Sequence, residues 1–279
     1  MRDFNVEAIG QAVERLCMST NRILPQDVRA CITQSRELEP WSAAKGILDK
    51  IIENYEIAEK EELPICQDTG VACVFLEIGQ EVHLIGNLEA AVNQGVHNGY
   101  LGAGLRCSIV ADPLRRVNTH DNTPAVIYTK IVPGDKVKVT VAPKGGGSEN
   151  MSKIAMLRPS DGIEGVKNFI CQCVEDAGPN PCPPIIVGVG LGGCFDRSAE
   201  LAKRSLLRHT GEHNPDPFYA ALEDELLERI NKSGIGPQGL GGKTTALAVH
   251  IEWAPCHMAS LPVAVNLNCH VARHDSEVL

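Results

Sequence analysis

The chain has no surplus of positive charge: 26 Lys and Arg stand against 35 Asp and Glu, a formal net charge of -9 over 279 residues. Neutralising a phosphate backbone needs clustered Lys and Arg, so no nucleic-acid surface is expected, and small molecules or proteins are the expected partners. No window approaches the roughly 18 uninterrupted apolar residues that a membrane span requires. The first residues show no apolar core behind a basic start, as a secretion signal would. The expected location is therefore cytoplasmic, with no membrane contact. Internal repeats, low-complexity tracts and long Ser/Gly linkers are also missing. With 43% apolar residues, the chain is long enough for one large domain or two small ones with a substantial core.

Cysteine, by contrast, is plentiful, with eleven in the chain. In a reducing compartment these are not expected to form a disulfide framework, which leaves metal binding, catalysis or core filling. Three stand in turn-rich or strand-ending contexts: Cys66 in Pro-Ile-Cys-Gln-Asp-Thr-Gly, Cys182 in Asn-Pro-Cys-Pro-Pro and Cys269 in Val-Asn-Leu-Asn-Cys-His. They are far apart in sequence, so only a folded chain can gather them, and soft thiolates point to an iron-sulfur cluster or zinc. Three ligands leave one metal position open, as a catalyst needs. Cys17, Cys31, Cys73, Cys107 and Cys194 lie in largely apolar surroundings, and Cys171 and Cys173 point to different faces of a helix, so these read as core or surface thiols. Cys256 in Pro-Cys-His-Met stays open, because it or His257 could face a site.

Hydrophobic periodicity predicts helices over residues 5–60, broken at Pro25 and Pro40. Strands follow over 71–78 and 81–85, a helix over 88–98, and strands over 106–110, 125–131 and 136–142, with Gly134-Asp135 suited to a hairpin turn. A helix over 162–174, a buried strand over 184–189, two helices between 196 and 230, and strands over 244–252 and 262–266 complete the chain. The expected fold is mixed α/β (α+β): an N-terminal helical block over 1–60 followed by a mixed β-sheet with packing helices over 61–279, treated as one domain, 1–279. The glycine-rich segment Gly234–Gly242 is the best candidate internal boundary.

Gly188-Val-Gly190-Leu-Gly-Gly193 fits the dinucleotide fingerprint and would make the chain an oxidoreductase. Yet no βαβ series precedes it, and no strand ending in an acid follows some 20 residues on. A glycine turn where backbone passes close to a ligand or another strand is the better reading. Gly241-Gly-Lys243-Thr-Thr245 fails as a phosphate loop because Pro237 stands where the first glycine is needed. Lys144-Gly-Gly-Gly-Ser-Glu-Asn150 could turn its N–H groups toward an anion, or be only a flexible tip. Asp68, beside Cys66 and Gln67, could act as a base or cap neighbouring amides. An aspartic protease would need a second Asp-Thr-Gly, and none occurs. The same cysteines binding zinc would leave a non-catalytic, metal-stabilised scaffold.

Taken together, six ordered segments resemble the α-subunit, or N-terminal domain, of the class I fumarate hydratase and L-tartrate dehydratase family of iron-sulfur hydro-lyases. They are Cys-Gln-Asp-Thr-Gly, Gly-Leu-Arg106-Cys-Ser, Asp121-Asn-Thr-Pro, Lys-Gly-Gly-Gly-Ser-Glu-Asn, Cys182-Pro-Pro with the glycine turn, and the ending with His257 and Cys269. The resemblance spans about Pro64 to Cys269. It implies a [4Fe-4S] cluster held by Cys66, Cys182 and Cys269, with Cys269 preferred to Cys256 because it follows a histidine by about a dozen residues. It implies Gln67, Asp68, Arg106, Gly145, Gly146, Gly147 and His257 as substrate-binding positions, with Asp68 and His257 as candidates for proton transfer or its support. The implied reaction is reversible hydration of fumarate to L-malate, or dehydration of L-tartrate or a methylated analogue, with a small dicarboxylate as substrate. A β-subunit is expected to complete the active site in a hetero-oligomer, which makes this chain half an enzyme. Where the family often has Thr, this chain has Cys194, so that thiol is a conceivable neighbour of the cluster.

Overall fold

A computed structural model describes all residues, Met1–Leu279. In chain order the elements are β1 (Arg2–Asn5), α1 (Glu7–Arg22), α2 (Gln26–Leu38), α3 (Ser42–Lys60), β2 (Val71–Gly79), β3 (Val82–Ile85), α4 (Leu88–Gly102), β4 (Val126–Val132) and β5 (Val137–Lys144). There follow α5 (Gly146–Glu149), β6 (Lys153–Leu157), α6 (Gly162–Ala177), β7 (Ile185–Gly192), α7 (Phe195–Ser205), α8 (Pro217–Asn231), β8 (Ala246–Ala254), β9 (Leu261–Asn268) and β10 (Asp275–Val278). The fold is mixed α/β, and no helix is long and apolar enough to cross a membrane. The chain divides into two compact units, residues 1–25, 55–146 and 273–279 in the first and 26–54 and 147–272 in the second.

The first unit is built on the mixed sheet β10-β5-β2-β4, beside a parallel pair β1-β3. Strand β2 is buried along most of its length, which its unbroken apolar run Val-Ala-Cys-Val-Phe-Leu anticipates. Ile9, Val13 and Leu16 of α1 and Val92, Val96 and Tyr100 of α4 pack with Val74, Leu76 and Val139 into one core. The two helices meet backbone to backbone: a Cβ on Gly95 would stand 2.2 Å from the Gly10 carbonyl oxygen, so a side chain there would force them apart.

Gly134-Asp135 does not close a hairpin. Strand β4 pairs with β2 in parallel and β5 pairs with β2 antiparallel, so β2 lies between them. The turn instead crosses the end of β2, where the Gly134 carbonyl accepts from the Glu81 amide at 3.0 Å and the Lys136 carbonyl from Gly79 at 2.8 Å. Residues 106–110 likewise form no strand. Their backbone is taken by local partners, Thr119 N to Ile109 O at 3.0 Å and Ser108 N to Asn122 Oδ1 at 2.7 Å, leaving one isolated bridge between Val110 and Asn118.

The second unit is built on the mixed sheet β6-β9-β7-β8. Strand β7, Ile-Ile-Val-Gly-Val-Gly-Leu-Gly, is buried at every residue and sorts its two faces by alternation. Val187, Val189 and Leu191 join the core formed with Val166, Ile170 and Val174 of α6 and Leu222 and Leu226 of α8. Gly188 and Gly190 face α7, where added Cβ atoms would lie 2.4 Å from Ala202 O and 2.0 Å from Ser198 O. Gly188 and Gly190 of the fingerprint are therefore strand residues that seat a helix, and Gly193 follows the strand's end. Glu223, 2% exposed, binds Arg208 at 2.5 Å and the amides of Ile251 at 2.7 Å and Asn214 at 2.8 Å, which fastens α8 to β8. Gly234–Gly242 lies wholly inside this unit and marks no boundary.

Candidate functional site

Topology gathers chemistry at one end of each sheet. In the first unit Val71 pairs with Lys144 and Cys73 with Val126, so the segments before β2, after β5 and before β4 share an end of the sheet. These are Cys66–Gly70, the glycine turn and Asp121–Pro124. Cys66 is half-buried, with the Asp68 amide donating to its sulfur at 3.4 Å. Gln67 is exposed, and its Oε1 lies 3.4 Å from the same sulfur. Asp68 realises its capping role: Oδ1 accepts from Gly70 N at 3.1 Å and Oδ2 from Gly146 N at 2.7 Å. A side chain on Gly145 would stand 3.2 Å from that carboxylate. Each carboxylate oxygen keeps a further acceptor position.

Three buried side chains that sequence reasoning did not single out hold consecutive carbonyls of this segment. Arg273 donates to Asp68 O at 2.5 Å, Tyr100 to Thr69 O at 2.8 Å and Gly70 O at 3.2 Å, and Asn122 to Gly70 O at 3.1 Å. Asn122 also accepts from Ser108 N, and Thr69 Oγ1 donates to Arg106 O at 2.9 Å. The exposed Arg106 side chain thus rises from a loop tied to the Cys66 segment. Burial pushes the Tyr100 phenol above its ordinary range, so it acts only as a neutral donor. Asn122 was the one legible signal, lying inside the Asp-Asn-Thr-Pro segment.

In the second unit Ile185 pairs with Ala246 and Ile186 with Asn268, so the segments before β7, before β8 and after β9 share one end. Cys182 and Cys269 are both there. Cys182 is exposed, Cys269 half-buried, and His270 N donates to Cys182 O at 3.3 Å. Gly147 belongs to this unit; a Cβ there would lie 3.4 Å from Asn180 O.

His257 is not at that end. It lies in the connection between β8 and β9, so all of β9, about 25 Å of strand at ~3.3 Å per residue, separates it from Cys269. It borders a cavity of about 360 Å³ lined largely by apolar groups, among them Phe218, Tyr219, Leu222 and Met258. Its Nδ1 accepts from Ala259 N at 3.1 Å, which leaves the neutral ring's proton on Nε2. Cys256 and Cys194 also lie away from the Cys182 end. Their thiols donate to Ser260 O at 3.4 Å and to Asp196 Oδ1 at 2.9 Å.

Burial sets some of the eleven thiols, all of them free, apart as poor metal ligands. Cys17 and Cys173 are buried, which pushes each thiol up to about 12 and makes thiolate formation costly. Cys66, Cys182 and Cys269 instead stand on irregular segments with some exposure, as do Cys107, Cys194 and Cys256. Neither unit alone arranges three or more His, Cys, Asp or Glu side chains to hold a metal ion.

A family model described as fumarate hydratase (Fumerase) matches residues 10–277. The chain belongs to the fumarate hydratase family. It is accordingly a hydro-lyase. Within known proteins it is 43% identical over 272 residues, 95% of each chain, to a Methanocaldococcus jannaschii protein provisionally named L(+)-tartrate dehydratase subunit alpha. It is 35% identical over 254 residues to the L(+)-tartrate dehydratase subunit alpha of Escherichia coli O157:H7, covering 90% of this chain and 84% of that one. The same name and identity hold for the protein of Shigella sonnei.

Proposed function

We propose that the chain is the α-subunit of an iron-sulfur hydro-lyase that interconverts a four-carbon 2-hydroxy dicarboxylate and its unsaturated product, with L-malate and fumarate as the pair. Cys66, Cys182 and Cys269 are assigned as ligands of a [4Fe-4S] cluster, and a β-subunit supplies the rest of the active site. The observation that carries this reading is the common sheet end where Cys66, Gln67 and Asp68 meet Arg106 and the glycine turn. An iron held by three thiolates with one position open would supply Lewis acidity toward a departing hydroxyl.

The chain's own residues then bind and orient. Arg106, exposed on a braced loop, offers a planar pair of N–H donors that matches a carboxylate bidentately. Gln67 presents an amide beside Cys66. Asp68 fixes the glycine turn through Gly146, so the Gly146 amide is already engaged, and Gly145 and Gly147 are assigned to the other end of a substrate. The remaining acceptor positions on Asp68 suit it to receive or hold a proton. His257 lies at the far end of its own sheet from Cys182 and Cys269.

L(+)-tartrate is the second reading, favoured by the names of the relatives at 35% and 43% identity. Both substrates carry two carboxylates and a 2-hydroxyl, so the same groups serve either. The test is turnover of L-malate, fumarate and L(+)-tartrate by the anaerobically reconstituted full chain with its β-subunit. Preference for malate and fumarate supports the first reading, and preference for tartrate the second. Iron-loaded complex that turns over none of them ends both.

A further inference from the structure

The glycine-rich segment 234–242 has no part in the centre proposed above, yet the fold delivers it to the Cys182 end of the second unit. Glycines 234, 236, 239, 241 and 242 all adopt positive φ, as so tight a loop demands; a Cβ on Gly236 would stand 2.1 Å from the Gly241 carbonyl carbon. Among them Gln238 takes the same left-handed conformation, φ 55°, while carrying a side chain. Glycine would be easier there, so the side chain's contacts are what its presence secures. Gln238 Nε2 donates to Pro183 O at 2.8 Å and lies 3.2 Å from His270 Nδ1, while its backbone N donates to Pro183 O at 2.7 Å. His270 Nδ1 lies 3.0 Å from Cys182 O, beside the backbone bond from His270 N to the same oxygen. Cys182 itself is held left-handed at φ 55°.

We infer that Gln238 is a positioning residue which, with His270, sets the Cys182 thiol beside Cys269 for a shared soft-metal group. This deepens the function proposed above and rests on the ligand roles given there to Cys182 and Cys269. Pinning the carbonyls of Cys182 and Pro183 fixes the peptide planes around a strained residue, and that orientation aims its side chain. Groups that orient ligands in this way typically contribute 10–100-fold to metal affinity.

The test uses cadmium as a thiolate probe on the reduced, cluster-free full chain, read by the sulfur-to-cadmium absorption band, with thermal unfolding measured in parallel. Gln238→Gly relieves the backbone conformation and keeps the backbone bond, so folding should persist while cadmium affinity falls about tenfold. His270→Ala should fall comparably. Cys182→Ser and Cys269→Ser separate the two ideas: wild-type cadmium affinity in those variants sinks the ligand assignment and this inference with it. Loss of affinity in both, with unchanged affinity in Gln238→Gly, overturns the role of Gln238 alone. A fall in Gln238→Gly that tracks loss of cooperative unfolding also overturns it, because the side chain would then serve only the fold.

Discussion

Asp68 shows how one residue's part depends on which atoms reach it. Its place beside Cys66 and Gln67 allows proton transfer and favours amide capping, and the fold shows two capped amides, Gly70 and Gly146, on one carboxylate. Replacing Asp68 with Ala leaves both amides without that acceptor and frees the glycine turn. The expected outcome is a fall in kcat of at least about 100-fold, the scale of a lost general acid-base or orienting group, with the melting temperature little changed. His250 makes a separate prediction about stability. It is 1% exposed, and burial lowers its pKa from 6.5 to about 4, with Arg208 acting in the same direction and Ser205 O opposing. The unfolded chain therefore binds a proton that the folded one refuses. The stability tied to this neutral histidine is intact above pH 6.5 and is lost as the pH falls toward 4. Its limit is about 3 kcal/mol. Urea unfolding at pH 7 and pH 4.5 should show a shallower loss in His250→Gln than in the wild type, and identical losses would contradict the assignment.

At the level of elements, the long periodic helices and the buried strands were legible, because repeated apolar spacing is a local property. What escaped was set by distant partners. Nothing in Gly134-Asp135 reveals that β2 will separate the strands on either side, and the short strands β1, β6 and β10 exist only because an edge waits for them. The Gly188–Gly193 pattern suggests a turn passing close to a ligand or another strand, whereas Gly188 and Gly190 lie in β7 and make room for α7. Gly190→Ala therefore places a methyl 2.0 Å from Ser198 O and should destabilise the chain by more than about 2 kcal/mol in urea unfolding. Gly46→Ala, in α3 with nothing within 4 Å of the added atom, should stabilise it by about 0.5–1 kcal/mol. Opposite signs at two glycines in one chain are the measurable consequence.

Over the whole molecule, candidate thiols can be named from sequence, whereas most of the groups that brace their segments cannot. Cys66, Cys182 and Cys269 could be singled out from their neighbours in sequence. Arg273, Tyr100, Gln238 and His270 could not, since each acts on a backbone carbonyl contributed by a remote segment. His257 was named through the family resemblance, and the fold sets all of β9 between it and Cys269. Membership of the fumarate hydratase family agrees with the three-cysteine reading without itself locating a cluster. The most direct test is therefore analysis of iron and acid-labile sulfide in the full chain after anaerobic reconstitution, for the wild type and for Cys66→Ala, Cys182→Ala and Cys269→Ala. A [4Fe-4S] site requires about four irons and four sulfides per wild-type chain and a large loss of both in every variant. Full iron and sulfide content in Cys66→Ala, or a wild-type chain that takes up zinc and no sulfide, would show that these thiols do not hold the proposed cluster.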